Sequence, residues 1–245
     1  MIQVPGMSTH GFPRILPCGD AAVTVEFGRE IDPAVNARVL ALDARLGGAA
    51  GVLETVPTYR SLLVHYDPEQ VEYPALCARL QDLARDLPDR APEGRLWRIP
   101  VVYGGEFGVD LEETAGRLGM TAADLVRRHA APTYRVYMSG FLPGFAYLGG
   151  LDPAIATPRR ETPRVWTPAG TISIGGVQAL IASIEAPSGW RLLGRTPVRN
   201  FVLDRDPAFI LEPGDRVVFE PISPVRWDVL DRAAETGELV AERVA

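Results

Sequence analysis

The sequence predicts an α+β protein in two parts, a small mixed domain over residues 12–90 and a β-rich domain over residues 95–223, with a tail over 224–245. Three observations predict it. Short apolar runs and helix-period stripes alternate in the order β-β-α-β-β-α up to residue 90. The segment DLPDRAPEGR is polar and proline-bearing, as a linker between domains should be. Beyond residue 131 short β-rich runs (TYRVYM, GTISIGG, ALIASIE, WRLLGR, RVVFEP) alternate with Gly/Pro turns, the rhythm of a barrel or a sandwich.

Each element has a local reason. Residues 1–11 read as a disordered start, in which Met7 is an alternative initiator. ILPCGDAAVTVEFG is two strands around the turn Cys18-Gly19-Asp20. Asp32 and Pro33 open a helix as N-cap and first helical residue. Val35, Val39, Leu42 and Leu46 share one face of it, and Gly47-Gly48 ends it. VLETVPTYRSLLVHYD gives two strands broken near Pro57, followed by a helix striped by Leu76, Leu80 and Leu83 that Pro88 stops. RLWRIPVVY opens the second part as a strand. Asp110 and Glu113 bracket a short helix ending at Gly119, and Thr121 with Asp124 forms a capping box for the next. The segment ATPRRETPRVWTPAG, with Thr-Pro at 157, 162 and 167, is expected to run extended and irregular over a surface. The acidic tail is helix-prone.

Composition narrows the function. With 47% hydrophobic residues among 245 and mean hydropathy near +0.04, the chain can build a core. A net charge of −6 gives no support to nucleic-acid binding. No apolar run is long enough to span a bilayer, and MIQVPGMSTHG lacks the features of a signal peptide, so the expected location is the cytoplasm. Cys18 and Cys77 show no framework spacing, and the cytosol would keep them reduced. The chain contains no lysine. That excludes a Walker P-loop and a Schiff-base lysine, so a bound anion must be held by arginine or backbone N–H groups. No metal spacing appears among His10, His65 and His129, and no nucleophile elbow or dinucleotide fingerprint is present. His65 reads as structural. His129 closes a helix, where a cation is favoured.

YMSGFLPGFAYLGGLD, residues 137–152, packs four glycines, one proline and four aromatic rings into sixteen residues. Gly and Pro mark a loop, yet this loop is apolar, which points to burial, a ligand or a partner. Two arginine groups accompany it: Arg159, Arg160 and Arg164, then Arg191, Arg195 and Arg199. A guanidinium grips carboxylate or phosphate with two parallel hydrogen bonds, so these are candidate anion ligands. Trp190 reads equally as a pocket wall or a core residue.

GDAAVTVEFG, VPTYRSLLVHYDP, GGEFGVDLEETA, GFLPGFAYLGGLDPAIATPR and GWRLLGRTP together resemble the KipI family, whose members are also called the B subunit of 5-oxoprolinase or allophanate hydrolase subunit 1. The resemblance runs from about Pro13 to Ile222. It implies a ferredoxin-like N-terminal domain and a cyclophilin-like β-barrel. It further implies a complex with a KipA-like subunit and a LamB/YcsF-like subunit that opens the lactam of 5-oxoproline to glutamate with hydrolysis of ATP. The motifs hold no complete nucleophile and base set, so the chain is expected to be silent alone. The KipI name implies an alternative, a binding protein that inhibits a sensor histidine kinase. Prolyl isomerase activity would rest on fold analogy alone. Carried onto this sequence, the family motif marks His129, Phe141, Pro143, Gly144, Arg159, Pro163, Pro168, Gly170, Gln178, Gly189, Trp190, Arg195 and Thr196. To these the pocket reading adds Phe145, and it expects Phe141, Phe145, Arg159, Gln178 and Trp190 on one cleft. The sequence departs from the family at Gln178-Ala179-Leu180-Ile181-Ala182-Ser183, where members read Q-T-G-hydrophobic-Y-P. It departs again at APSGW and at Gly108-Val109-Asp110, where members read S-P-G-G-W and G-P-D.

Overall fold

Period-two alternation and capped helices place nearly every element where the sequence puts it. The computed structural model describes residues 11–90 and 92–244. The expectations for residues 1–10, including Met7 and His10, lie outside the described residues. The chain divides into two compact units, residues 1–92 and 93–245.

The first unit runs β1 (Arg14–Pro17), β2 (Ala22–Glu26), α1 (Pro33–Leu46), β3 (Val52–Pro57), β4 (Ser61–Tyr66) and α2 (Tyr73–Leu83). Its sheet is antiparallel in the order β1-β2-β4-β3. Asp32 caps α1, accepting from Ala34 N and Val35 N at 2.8 and 3.1 Å. Val39, Leu42 and Leu46 of α1 and Leu76 and Leu80 of α2 close over Val23, Val25, Leu62 and Val64 of the sheet. Helix α2 ends at Leu83, before Pro88, and Arg85 N–H turns to Asp82 O at 3.3 Å in a tighter turn. A ferredoxin-like domain runs βαββαβ; here the order is ββαββα, with the edge strand first in the chain.

The second unit is a closed barrel. Its strands are β5 (Leu96–Tyr103), β6 (Tyr134–Ser139), β7 (Ala146–Gly149), β9 (Thr171–Gly175), β10 (Gln178–Ile181), β12 (Arg191–Arg195) and β13 (Arg216–Pro221). They follow the order β12-β9-β10-β7-β6-β13-β5, and β12 returns to β5 to close the ring. All pairs are antiparallel except β13 with β5. Helices α3 (Leu111–Arg117) and α4 (Ala122–Ala130) pack Leu111, Ala115 and Leu125 into the main core. The Thr-Pro segment is less irregular than expected: β8 (Arg164–Thr167) pairs with β11 (Ala186–Ser188) as a separate ribbon. The tail belongs to this unit. It forms α5 (Pro224–Glu235) and then β14 (Glu242–Arg243), which extends the sheet along β5.

Strand alternation builds two cores. Ala146, Leu148, Ile172, Ile174, Ala179, Ile181 and Leu193 join the main core. The alternate positions Phe145, Leu180 and Ala182, with Tyr147 at its margin, form a second cluster with Ala186 and Trp190. The apolar "loop" is explained by this: it contains the end of β6 and the whole of β7, whose side chains divide between the two clusters.

Closure requires close backbone approach at Gly194, where a Cβ would lie 2.4 Å from Val102 O. Gly194→Ala is therefore expected to destabilise the barrel by about 1–3 kcal/mol, lowering its midpoint by roughly 3–10 °C. Gly116→Ala, within α3 where a Cβ meets nothing within 4 Å, is expected to be neutral or stabilising. Thermal unfolding followed by circular dichroism checks the pair.

Candidate functional site

The site is built on the outward faces of β7, β9 and β10. Gly175 is the key opening. A Cβ there would lie 2.9 Å from Trp190 Cδ2 and 3.3 Å from Arg159 Cγ, so the missing side chain lets both settle on β9. The Arg159 guanidinium lies 5.0 Å from the Trp190 ring centroid, a cation–π arrangement. Tyr147 meets Trp190 edge-on at 6.0 Å. Burial raises the Tyr147 pKa, and the nearby Arg159 charge partly offsets this. Trp190 is 6% exposed and Arg159 is exposed, so a buried aromatic platform carries a solvent-facing cation. Gln178 is half-buried on the same outward row, pairing with Gly175. Between these positions along β9, Ser173 is 1% exposed and its Oγ has no hydrogen-bond partner.

The Gly140–Phe145 turn adjoins this face. Ser183 Oγ donates to Pro143 O, and Asn200 Nδ2 donates to Gly144 O. Gly144 has φ +75°, and a Cβ there would meet Phe201 Cβ at 2.6 Å. Phe141 adopts φ +70°, costly for a bulky residue, yet is 68% exposed. Its ring meets Phe145 edge-on at 5.8 Å, and it lines a surface cavity of about 280 Å³ with Ser139–Gly144 and Phe209.

Phe145, Arg159, Gln178 and Trp190 thus share one barrel face, and Phe141, Pro143 and Gly144 lie at its margin. Phe145 is a core residue beneath that face, 3% exposed, rather than a cleft wall. Pro163 and Gly189 pack together nearby. Arg195, Thr196, Gly170 and Pro168 are elsewhere. Arg195 lies over Trp227 at 5.3 Å and donates to Ala169 O at 3.2 Å. Burial pushes its pKa down. Thr196 is fully buried; its backbone N–H donates to Gly170 O at 2.8 Å and its Oγ1 accepts from Val198 N. Pro168 O accepts from Thr171 Oγ1 at 2.6 Å.

His129 is enclosed in the main core, stacked on Phe219 at 4.8 Å and bonded through Nδ1 to Tyr103 Oη at 2.8 Å. Burial lowers its pKa to about 3. It is a neutral core residue, not a cation at a helix end.

Four of the six candidate arginines are already neutralised, which corrects their reading as anion ligands. Arg160 and Arg164 bind Asp110, Arg191 binds Glu113 and Arg199 binds Asp231. Arg159 and Arg195 pair with no carboxylate among the described residues. Asp110 is the residue the sequence reading missed. It occupies the N-cap position of α3 but makes no cap bond, while Thr121 does cap α4, accepting from Asp124 N. Nothing in a lone Asp before a helix distinguishes the two roles.

A family model described as "Carboxyltransferase domain, subdomain C and D" matches residues 13–211. The chain belongs to this family. Among members, the B subunit of 5-oxoprolinase from Bacillus subtilis is 38% identical over 218 residues, covering 84% of this chain and 91% of that one. The KipI-type resemblance drawn from the motifs therefore holds. The solved structure of TTHA0988 is 37% identical with a TM-score of 0.74, covering 82% of this chain and 40% of that chain. The chain thus spans less than half of that protein. PH0987 of Pyrococcus horikoshii, described as a conserved uncharacterized protein, is 43% identical with a TM-score of 0.54, covering 87% and 99%. Among the described residues no helix is long and apolar enough to cross a membrane, and no cluster of three His, Cys, Asp or Glu side chains could hold a metal.

The departures from the family pattern at residues 179–182 divide between the two faces of their strand. Ala179 and Ile181 belong to the main core, Leu180 and Ala182 to the outer cluster, and all four are buried.

Buried neutral His129 gives this family member a pH signature. Its ordinary pKa of 6.5 applies to the unfolded chain, and about 3 to the folded one. Above pH 6.5 both states are neutral at this residue. As pH falls, the unfolded chain gains a proton that the native state refuses, so stability is lost between about 6.5 and 3. At pH 4.5 the loss is roughly 3 kcal/mol. His129→Leu should shrink the difference in urea midpoint between about pH 7.5 and about pH 4.5 relative to the wild type.

Proposed function

We propose that this chain is the KipI-type subunit of an ATP-dependent amide hydrolase complex that opens 5-oxoproline, and that its outer barrel face holds the substrate carboxylate. The observation that carries the site is Arg159: a guanidinium without a carboxylate partner, spread over Trp190 at the edge of an aromatic platform. The family membership and the name of the Bacillus subtilis relative support the reaction.

A lactam is a poor electrophile. In the proposed reaction the γ-phosphoryl group passes from ATP to the amide oxygen and ADP leaves; water then attacks the activated carbon, the ring C–N bond breaks and phosphate departs, giving glutamate. This chain's part is to bind and orient. Arg159 receives the carboxylate as a fork, Trp190 and Tyr147 lie against the ring, and Gln178 meets a polar edge. A chain without lysine can meet phosphate with a full positive side-chain charge mainly through arginine, beside neutral donors such as backbone N–H groups and hydroxyls. No general base stands beside Arg159 among the residues of the platform, which supports assigning the chemistry to a complex with KipA-like and LamB/YcsF-like subunits. We read the barrel as cyclophilin-like, and the first unit as a ferredoxin-like sheet whose edge strand comes first in the chain.

Assembly tests the reaction. The purified chain alone is expected to show no ATP-dependent loss of 5-oxoproline, and co-expression with the companion subunits should restore it. Turnover by the single chain would overturn the division of labour. Arg159 tests the site. A hydrogen bond to a charged group contributes about 1.5–3 kcal/mol, so loss of one of two should weaken binding roughly tenfold or more. Arg159→Lys should therefore impair the complex almost as much as Arg159→Ala in steady-state kinetics. Full activity in the lysine variant, with loss in the alanine variant, would show that charge alone suffices.

A further inference from the structure

Asp110 is 1% exposed and accepts four hydrogen bonds. Two come from the Arg164 guanidinium, at 2.8 and 2.6 Å, and one from Arg160 Nη1, at 3.2 Å. The fourth comes from Leu192 N at 2.8 Å, on the strand that follows Trp190. A capping aspartate would direct its oxygens to the first turn of α3, and this one directs none there. Its charge goes instead to Arg160 and Arg164, which follow Arg159 in the chain.

The rest of that segment is tied down by other groups. Thr157 exchanges both backbone bonds with Gly176, at 3.2 and 2.7 Å. Pro158 O accepts from Arg191 Nε at 3.3 Å. Arg160 N donates to Gly189 O at 2.7 Å. Glu113 backs the arrangement, receiving Arg191 Nη1 at 3.0 Å, with Arg160 Nη1 3.8 Å away. The Arg117 and Arg191 guanidiniums hold its carboxyl below the usual range. Thr157, Pro158 and Arg160 beside Arg159 are anchored, while the Arg159 side chain lies over Gly175 with its guanidinium on the indole.

We infer that Asp110 is a positioning residue: a buried carboxylate that joins β12 to the Arg160–Arg164 segment and thereby holds Arg159 in register over Trp190. This rests on the reading that Arg159 receives the substrate carboxylate. Without the Asp110 charge, two guanidiniums converge on a neutral amide and repel one another. The segment is then pushed off Leu192, and the fork moves relative to its platform.

The test uses the reconstituted complex with Asp110→Asn, Arg159→Ala, the double variant, and Arg164→Met. The last removes one guanidinium from the partly exposed side of the cluster and serves if Asp110→Asn does not fold. A displaced binding group removes interaction common to ground and transition states. Asp110→Asn and Arg164→Met should therefore raise KM for 5-oxoproline roughly tenfold, with kcat within about twofold. In the Arg159→Ala background, Asp110→Asn should add nothing further. Hydrogen exchange should show faster exchange at the Thr157 and Arg160 amides in Asp110→Asn and in Arg164→Met.

A KM effect of Asp110→Asn that persists in full without Arg159 would overturn the inference, as would unchanged exchange at those amides. If Arg159→Ala itself leaves KM unaltered, the substrate reading fails separately. The exchange rates then decide alone whether Asp110 holds the segment, fast exchange sustaining the inference and unchanged exchange overturning it.

Discussion

Strand β12 is paired on both edges, and the second unit depends on that double pairing. It meets β9 through Arg191 to Arg195 and β5 through Gly194 and Arg195. Without the second contact the sheet would have two free edges and no enclosed core. The same strand follows directly on Trp190 and offers Leu192 N to Asp110. Barrel closure, the aromatic platform and the anchoring of the Arg159 segment thus share one short stretch of backbone.

Closure also explains why the outer face is so well defined. Once the register around the ring is set, each strand has an inside and an outside, and a slip of one residue would exchange them. Ile172 and Ile174 face in and Ser173 and Gly175 face out; Ala179 and Ile181 face in and Gln178 and Leu180 face out. The outer row is apolar near Leu180 and opens at Gly175. There the structure leaves room for an indole and a guanidinium instead of a side chain of its own.

Charge follows the same layout. Four arginines, Arg117, Arg160, Arg164 and Arg191, converge on Asp110 and Glu113, which pairs charge within the unit and stiffens one segment. A buried charge left unpaired would be strongly unfavourable, so the arginines nearest the interior are the ones that need a carboxylate. Arg159 avoids that constraint because its head remains in solvent while its stem covers β9. The result on this face is an exposed cation with no carboxylate partner beside others that are paired.

Much of this was legible in the chain. Alternation marked β2, β4, β5, β9 and β13, Asp32 and Thr121 marked their helix starts, and the motif run marked the family, because each signal is local and one residue's chemistry suffices to raise it. Other features came only with the tertiary structure. Strand β7 was hidden in a Gly-rich run because burial on both faces erases alternation. The choice of barrel over sandwich waited on the pairing of β12 with β5, a contact between residues far apart in the chain. Whether an arginine is free depends on which carboxylate the fold brings to it: Arg159 and Arg160 are neighbours in sequence, yet one is open and the other is bound to Asp110, distant in sequence. Composition and spacing record which charges exist, and only the folded backbone decides which of them meet.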